Sequence, residues 1–151
     1  MKKTILITGA SRGIGKAIAY RLAAEKYDLI LTCARNFDVL QNIAHDLESQ
    51  YNIKCNSYKC DCSDSEQVKK LFLENREVDA VINNAGISYV GLLQDMEIAD
   101  WDKIIQTNLS SVFYTSKYLQ DSAAYSRLSI GFLHYCRQKL LPAWLAEPDR
   151  H

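Results

Sequence analysis

The feature that most constrains this chain is the segment Thr8-Gly9-Ala10-Ser11-Arg12-Gly13-Ile14-Gly15, whose glycines follow G-x-x-x-G-x-G spacing. It lies between a short β-branched run, Lys3 to Thr8, and a stretch from Ile14 to Glu25 in which Ile14, Ala17, Ile18 and Leu22 recur at helical spacing. A glycine-rich turn from a strand into a helix has few uses. Gly9 permits the sharp exit from the strand, Gly13 lets backbone approach a phosphate with no Cβ in the way, and Gly15 lets the helix lie close to the sheet. The helix N-terminus then offers free N–H groups and positive potential to an anion. The spacing differs from the G-x-G-x-x-G of the commonest dinucleotide fingerprint, although the physical needs are the same.

The chain continues as an alternation. Asp28 to Cys33 is an apolar run of strand length, and Phe37 to Gln50 brings Leu40, Ile43, Ala44 and Leu47 onto one helical face. Ile53 to Cys60 is a third, more polar strand. Asp64 to Leu73 is a third helix capped by Ser63 or Asp64, and Val78 to Ile82 a fourth strand. A loop from Asn84 to Gly91 precedes a long helix, Ile98 to about Tyr118, with an interruption near Asn108. Such alternation predicts an α/β, Rossmann-type, doubly wound parallel sheet in the order 3-2-1-4, with right-handed crossovers. Residues 1–118 form this dinucleotide-binding region, and residues 119–151 form an atypical tail holding both prolines. Within the tail, Arg127 to Tyr135 alternates Leu128, Ile130 and Phe132, as a fifth strand or a buried helix would.

Composition narrows the function. Lys plus Arg (18) equals Asp plus Glu (18), so no global charge favours nucleic acid or an anionic membrane. No apolar stretch approaches the roughly 20 residues of a membrane span. The start, Met1-Lys2-Lys3 followed by Thr4-Ile5-Leu6-Ile7, is too short an apolar run for a signal peptide and reads as a buried strand. The odd count of five cysteines favours free thiols in a reducing, cytoplasmic setting. Cys60-Asp61-Cys62 is C-x-C, with no second Cys/His pair at ligand spacing, so no metal site is expected and small apolar side chains at a strand end are.

Further motifs make a resemblance specific. After the fourth strand comes Asn83-Asn84-Ala85-Gly86; Thr107-Asn108-Leu109 and Cys60-Asp61-Cys62-Ser63-Asp64 complete the set. Together with the glycine turn, and taken in their order along the chain, they resemble the short-chain dehydrogenase/reductase family over residues 1 to about 118. In style the match is similar to bacterial 3-oxoacyl-[acyl-carrier-protein] reductases. The resemblance implies that Gly9, Ser11, Arg12, Gly13, Ile14 and Gly15 surround the pyrophosphate and adenosine phosphate of a dinucleotide. It implies that Asp61 accepts a hydrogen bond from the adenine amino group, with Cys62 contributing backbone. Asn83, Ala85 and Gly86 would line the cofactor, and Asn108 would hold a relay water, its carbonyl turned out of the helix.

Charge bears on cofactor choice. An NAD site normally offers Asp or Glu at the end of the second strand to bind the ribose hydroxyls. Here Ala34 and Arg35 occupy that place, no carboxylate follows until Asp38, and Arg12 adds a second cation. Guanidiniums suit a 2′-phosphate, so NADPH is expected over NADH, unless both arginines are only solvated surface charges.

The catalytic end is less regular. The family's chemistry implies hydride transfer to a small-molecule carbonyl or from an alcohol. It uses a tyrosine as proton donor, a lysine four residues on, and an upstream serine. The one Tyr-x-x-x-Lys is Tyr135 to Lys139, with Ser122 before it. The span from Asn108 to Tyr135 falls short of the roughly 30 to 40 residues that a long helix, a strand and their loops need. Ser122 would also precede the fifth strand instead of following it. Two readings therefore stand: an NADP-dependent carbonyl reductase, or a truncated, inactive fragment that at most binds nucleotide. The family's members usually form homotetramers through later helices, so this chain is not expected to form that assembly.

Overall fold

The computed structural model describes residues 2–120. Within them strand and helix alternate as β1 (Thr4–Ile7), α1 (Gly13–Ala24), β2 (Asp28–Cys33), α2 (Phe37–Tyr51), β3 (Cys55–Lys59), α3 (Ser65–Glu74) and β4 (Ala80–Ile82). A 3-10 turn (Leu93–Asp95) then leads to α4 (Ile98–Ile105), a π-helical turn (Gln106–Ser110) and α5 (Ser111–Gln120). The strands form one parallel sheet in the order β3-β2-β1-β4, as the alternation predicts. The sheet reverses direction of growth at β1, whose two sides pair with β2 and β4.

Strand period explains the layering, because successive side chains point to opposite faces. Ile5, Ile7, Leu29, Leu31 and Cys33 face α1 and α2, where Ala19, Ala23, Leu40, Ile43, Ala44 and Leu47 complete one core. Leu6 and Ile30 face the other way, against Val68, Leu71 and Phe72 of α3 and against Tyr114 and Tyr118 of α5. Buried on both faces, β2 reads as the continuous apolar run DLILTC. The fifth-strand expectation, around Leu128 to Phe132, lies outside the described residues. Among the described residues no helix is long and apolar enough to cross a membrane.

The expected face of α1 needs correcting. Ile14 is 74% exposed and Ala17 is exposed; the buried stripe is Gly15, Ala19 and Ala23. The helix lies so close to the sheet that only small side chains fit at the contact, and the larger Ile18 and Leu22 flank it half-buried. Of the two cap candidates for α3, the structure uses Asp64, whose carboxylate accepts from the amides of Glu66 and Gln67. Beyond β4 apolar side chains are less covered: Val90, Leu92, Leu93, Ile98 and Trp101 are exposed.

Two outcomes test this packing. A Cβ on Gly15 would sit 2.5 Å from the Gly9 carbonyl oxygen and would collide with the Asn84 side chain. Gly15→Ala should therefore destabilise the chain by about 1–3 kcal/mol in urea unfolding, as overpacked sites do. The Asp64 carboxyl is held below the ordinary carboxylate range, first by the hydrogen bond from the Gln67 side chain and then by backbone amides. A depressed folded-state pKa means that its cap stabilisation is complete above the unfolded carboxylate range and is lost as pH falls through the depressed value. The Glu66 and Gln67 amide NMR shifts should titrate together, below the pH of a free aspartate, and Asp64→Asn should abolish that titration.

Candidate functional site

Every sequence-predicted nucleotide residue within 2–120 stands just past the C-terminal end of a strand or on the helix facing those ends. Gly9 to Gly15 follow β1, Arg35 follows β2, Asp61 and Cys62 follow β3, and Asn83, Ala85 and Gly86 follow β4. Asn108 lies in the π turn. Open α/β sheets place ligands in this crevice, at the point where strand order reverses. Here that point lies between β1 and β4.

The glycine turn is built as its spacing requires. Gly9 (φ +67°) and Gly13 (φ +56°) occupy the left-handed region. A Cβ on Gly9 would lie 2.9 Å from the Ala85 Cα, so this glycine admits the loop after β4. A Cβ on Gly13 would meet nothing within 4 Å, so the backbone there faces open space at the head of α1. Arg12 caps α1 through its backbone alone, and the first amide to bond back is that of Lys16, to the Arg12 carbonyl. The amides of Gly13, Ile14 and Gly15 are the orphan donors of a helix start. Arg12 and Arg35 are both exposed.

Thr8 and Asn84, which stand in the sequence motifs without an assigned role, hold the crevice together. The buried Thr8 hydroxyl accepts the amides of Asn84 and Ala85, each at 3.0 Å. In return the Asn84 side-chain amide donates to the carbonyls of Thr8 (2.9 Å) and Gly9 (3.0 Å). The signal was a threonine at the end of a buried strand and an asparagine amid small residues. Neither carries chemistry alone, and their pairing is tertiary. The neighbouring Asn83 is fixed by Thr115 of α5, whose buried hydroxyl donates to Asn83 Oδ1 at 2.7 Å.

Asn108 is neither a cap nor a solvated side chain. Its Oδ1 accepts the Ile87 amide and its Nδ2 donates to the Ile87 carbonyl, both at 2.8 Å. This two-point clasp ties the loop after Gly86 to the π turn, and the Ser111 hydroxyl fills the widened turn by donating to the Thr107 carbonyl at 2.5 Å. Asp61 Oδ1 accepts the amide and hydroxyl of Ser63 at 3.0 and 2.7 Å, and Asp61 Oδ2 has no protein partner among the described residues. Cys62 is buried beside Thr32, with Thr32 Oγ1 3.8 Å from its sulfur. Tyr135, Lys139 and Ser122 lie outside the described residues.

A parallel sheet with a glycine turn at its first crossover, an open helix start and a clasped loop across the switch point defines a dinucleotide-binding α/β protein. Residues 3–125 match the family model for short chain dehydrogenases, and the chain belongs to that family. It is 37% identical over 117 residues to the 3-oxoacyl-[acyl-carrier-protein] reductase of Staphylococcus epidermidis, a match covering 75% of this chain and 48% of the relative. Among solved structures it is similar to an alcohol dehydrogenase from Thermococcus sibiricus complexed with 5-hydroxy-NADP (37% identity, TM-score 0.74, covering 81% of this chain and 53% of that one). It is also similar to a short chain dehydrogenase from Burkholderia cenocepacia in complex with NADP (31% identity, TM-score 0.75, 80% and 50% covered). The chain spans about half the length of the curated relatives it matches.

Replacing Thr8 tests the interlock. Thr8→Val keeps the shape but removes the acceptor of two amides, which should cost roughly 1–3 kcal/mol by thermal unfolding. It should also speed hydrogen exchange at Asn84 and Ala85. Thr8→Ser, which keeps the hydroxyl, should leave those two amides protected.

Proposed function

We propose that residues 1–118 are the nucleotide-binding region of an NADP-dependent oxidoreductase that interconverts a carbonyl and an alcohol. The observation that carries the reading is the open space beside Gly13, at the head of an α1 whose first bond within the helix is that of Lys16 N to the Arg12 carbonyl. That cradle fits a pyrophosphate, by close approach of backbone and by helix-terminal N–H groups. Gly9, Ser11, Ile14 and Gly15 shape it. Arg12 and Arg35 take the 2′-phosphate, and the free Oδ2 of Asp61 accepts from the adenine amino group beside the Cys62 backbone. Asn83, held by Thr115, lines the nicotinamide side with Ala85 and Gly86.

When bound, the nicotinamide supplies or receives the hydride. The protein's part is to orient it, exclude water and move the oxygen-bound proton. Asn108 serves that proton path through its backbone carbonyl, since its side chain is committed to Ile87. The reductase and NADP complexes among the relatives support NADPH as cofactor and a 3-oxoacyl thioester as substrate. Free buried cysteines at positions 33, 55, 60 and 62 support a cytoplasmic setting.

A second reading, that this chain binds nucleotide without turning it over, is favoured by the short sequence span between Asn108 and Tyr135. Titration and turnover distinguish the two. NADPH should bind more tightly than NADH, and Arg35→Ala should cut that preference by about tenfold or more, the loss of one charge-assisted contact. Equal binding of the two cofactors, or an unchanged preference in Arg35→Ala, contradicts the NADP reading. Under the second reading, NADPH oxidation with a short 3-oxoacyl thioester should lack the ~10²–10⁴-fold contributed by a positioned acid. Ordinary turnover that Tyr135→Phe abolishes would make Tyr135 and Lys139 the catalytic pair with Ser122, and the chain an active reductase.

A further inference from the structure

The loop from Asn83 to Ile87, which follows β4, is gripped at both ends by one helical segment. At its far end Asn108 clasps the amide and carbonyl of Ile87. At its near end the Thr115 hydroxyl donates to Asn83 Oδ1 at 2.7 Å. Asn108 and Thr115 stand seven residues apart, about two helical turns, so the same flank of the helix serves both ends. The clasp at Ile87 uses backbone groups that any residue there supplies. The grip at Asn83 is on a side chain, so it sets how that side chain stands.

Thr115 spends its proton in an unusual direction. A buried threonine in a helix ordinarily returns its hydroxyl to a carbonyl three or four residues back. Both such carbonyls are within reach, those of Ser111 and Val112, each at 3.1 Å. The side chain is fully buried, so bulk water does not compete for it. A hydroxyl has one hydrogen to donate, and the shortest of the three contacts leaves the helix for Asn83.

We propose that Thr115 is a positioning residue for the nicotinamide half of the cofactor, acting from α5 through the Asn83 side chain. The role rests on the proposed placement of Asn83 along that half. Held by the hydroxyl, Asn83 meets the cofactor with its rotamer already chosen. Without the hydroxyl the side chain regains its rotamer freedom, and the cofactor must order it on binding. The adenine half has its proposed contacts at other strand ends, with Arg35 after β2 and Asp61 after β3. Loss of the Thr115 hydroxyl therefore acts on one half of the nucleotide and spares the other.

The test titrates the full chain with NADPH and with adenosine 2′,5′-diphosphate, which carries the adenine and the 2′-phosphate but no nicotinamide. Thr115→Val should weaken NADPH by about tenfold, as for the loss of one hydrogen bond, and leave the diphosphate unchanged. Thr115→Ser should restore NADPH affinity. If Thr115→Val does not fold, Thr115→Ala, which empties the site instead of filling it, should show the same split. Because Thr115 acts through Asn83, Asn83→Ala and the double variant Asn83→Ala/Thr115→Val should bind NADPH equally. In the unliganded chain the NMR signals of the Asn83 side-chain amide should move in Thr115→Val and return in Thr115→Ser. Equal weakening of both compounds would make the hydroxyl a general support of the fold and overturn the role. Unchanged NADPH affinity in Thr115→Val, or additive losses in the double variant, would overturn it too. An unmodified chain that binds the diphosphate as tightly as NADPH overturns the role of Thr115 while the nucleotide reading stands. An unmodified chain that binds neither overturns that reading, and the role with it.

Discussion

The interlock between the end of β1 and the loop after β4 is the constraint on which the crevice depends. Two strand ends 76 residues apart in sequence exchange donors and acceptors: the Thr8 hydroxyl serves the Asn84 and Ala85 amides, and the Asn84 side chain serves the Thr8 and Gly9 carbonyls. A turn that leaves a strand sharply exposes carbonyls that no sheet partner can satisfy. Asn84 supplies that partner from across the sheet. It reaches them only because Gly9 and Gly15 have no side chains where its amide lies. Two of the three glycines of the turn thus serve protein–protein contacts, and Gly13 alone faces outward.

That division bears on how much the sequence made legible. Strand order, the bounds of β2 and the face of α2 followed from pattern, and the cap of α3 was narrowed to Ser63 or Asp64, because each is set by local period or by a local hydrogen bond. The face of α1 did not follow. Periodicity favours large apolar residues as the buried set, but a helix pressed onto a sheet at a glycine buries its smallest residues instead, and Ile14 is turned outward. β4 is shorter than its apolar run, since Val78 lies in the core before pairing with β1 begins at Ala80.

The site was legible as a set of motifs and illegible as a mechanism of support. Gly9, Gly13 and Gly15 were nameable from their spacing in a strand-to-helix turn, and Asp61, Asn83, Ala85, Gly86 and Asn108 only from the family resemblance, although each stands past a strand end or in a turn. What fixes them is tertiary: Thr115 on Asn83, Asn108 on Ile87, Thr32 on Cys62. None of these partners is near its target in sequence, and none is an unusual residue type.

The π turn at Gln106–Ser110 has a geometric consequence of its own. In an α-helix each residue advances the side chain by about 100°. A π turn spends one more residue on nearly the same rotation, so it acts like a shim in a screw thread: the axis continues while the angular phase jumps. Before the shim, Ile98 and Trp101 of α4 look outward; after it, Ser111, Val112 and Thr115 of α5 are seated against the protein. A single helical wheel drawn through residues 98–120 therefore mixes two phases. Removing one residue from the turn would close it to ordinary α-helix and leave the row of α5 that holds Asn83 on nearly the same face, at the cost of the widened turn that the Ser111 hydroxyl fills.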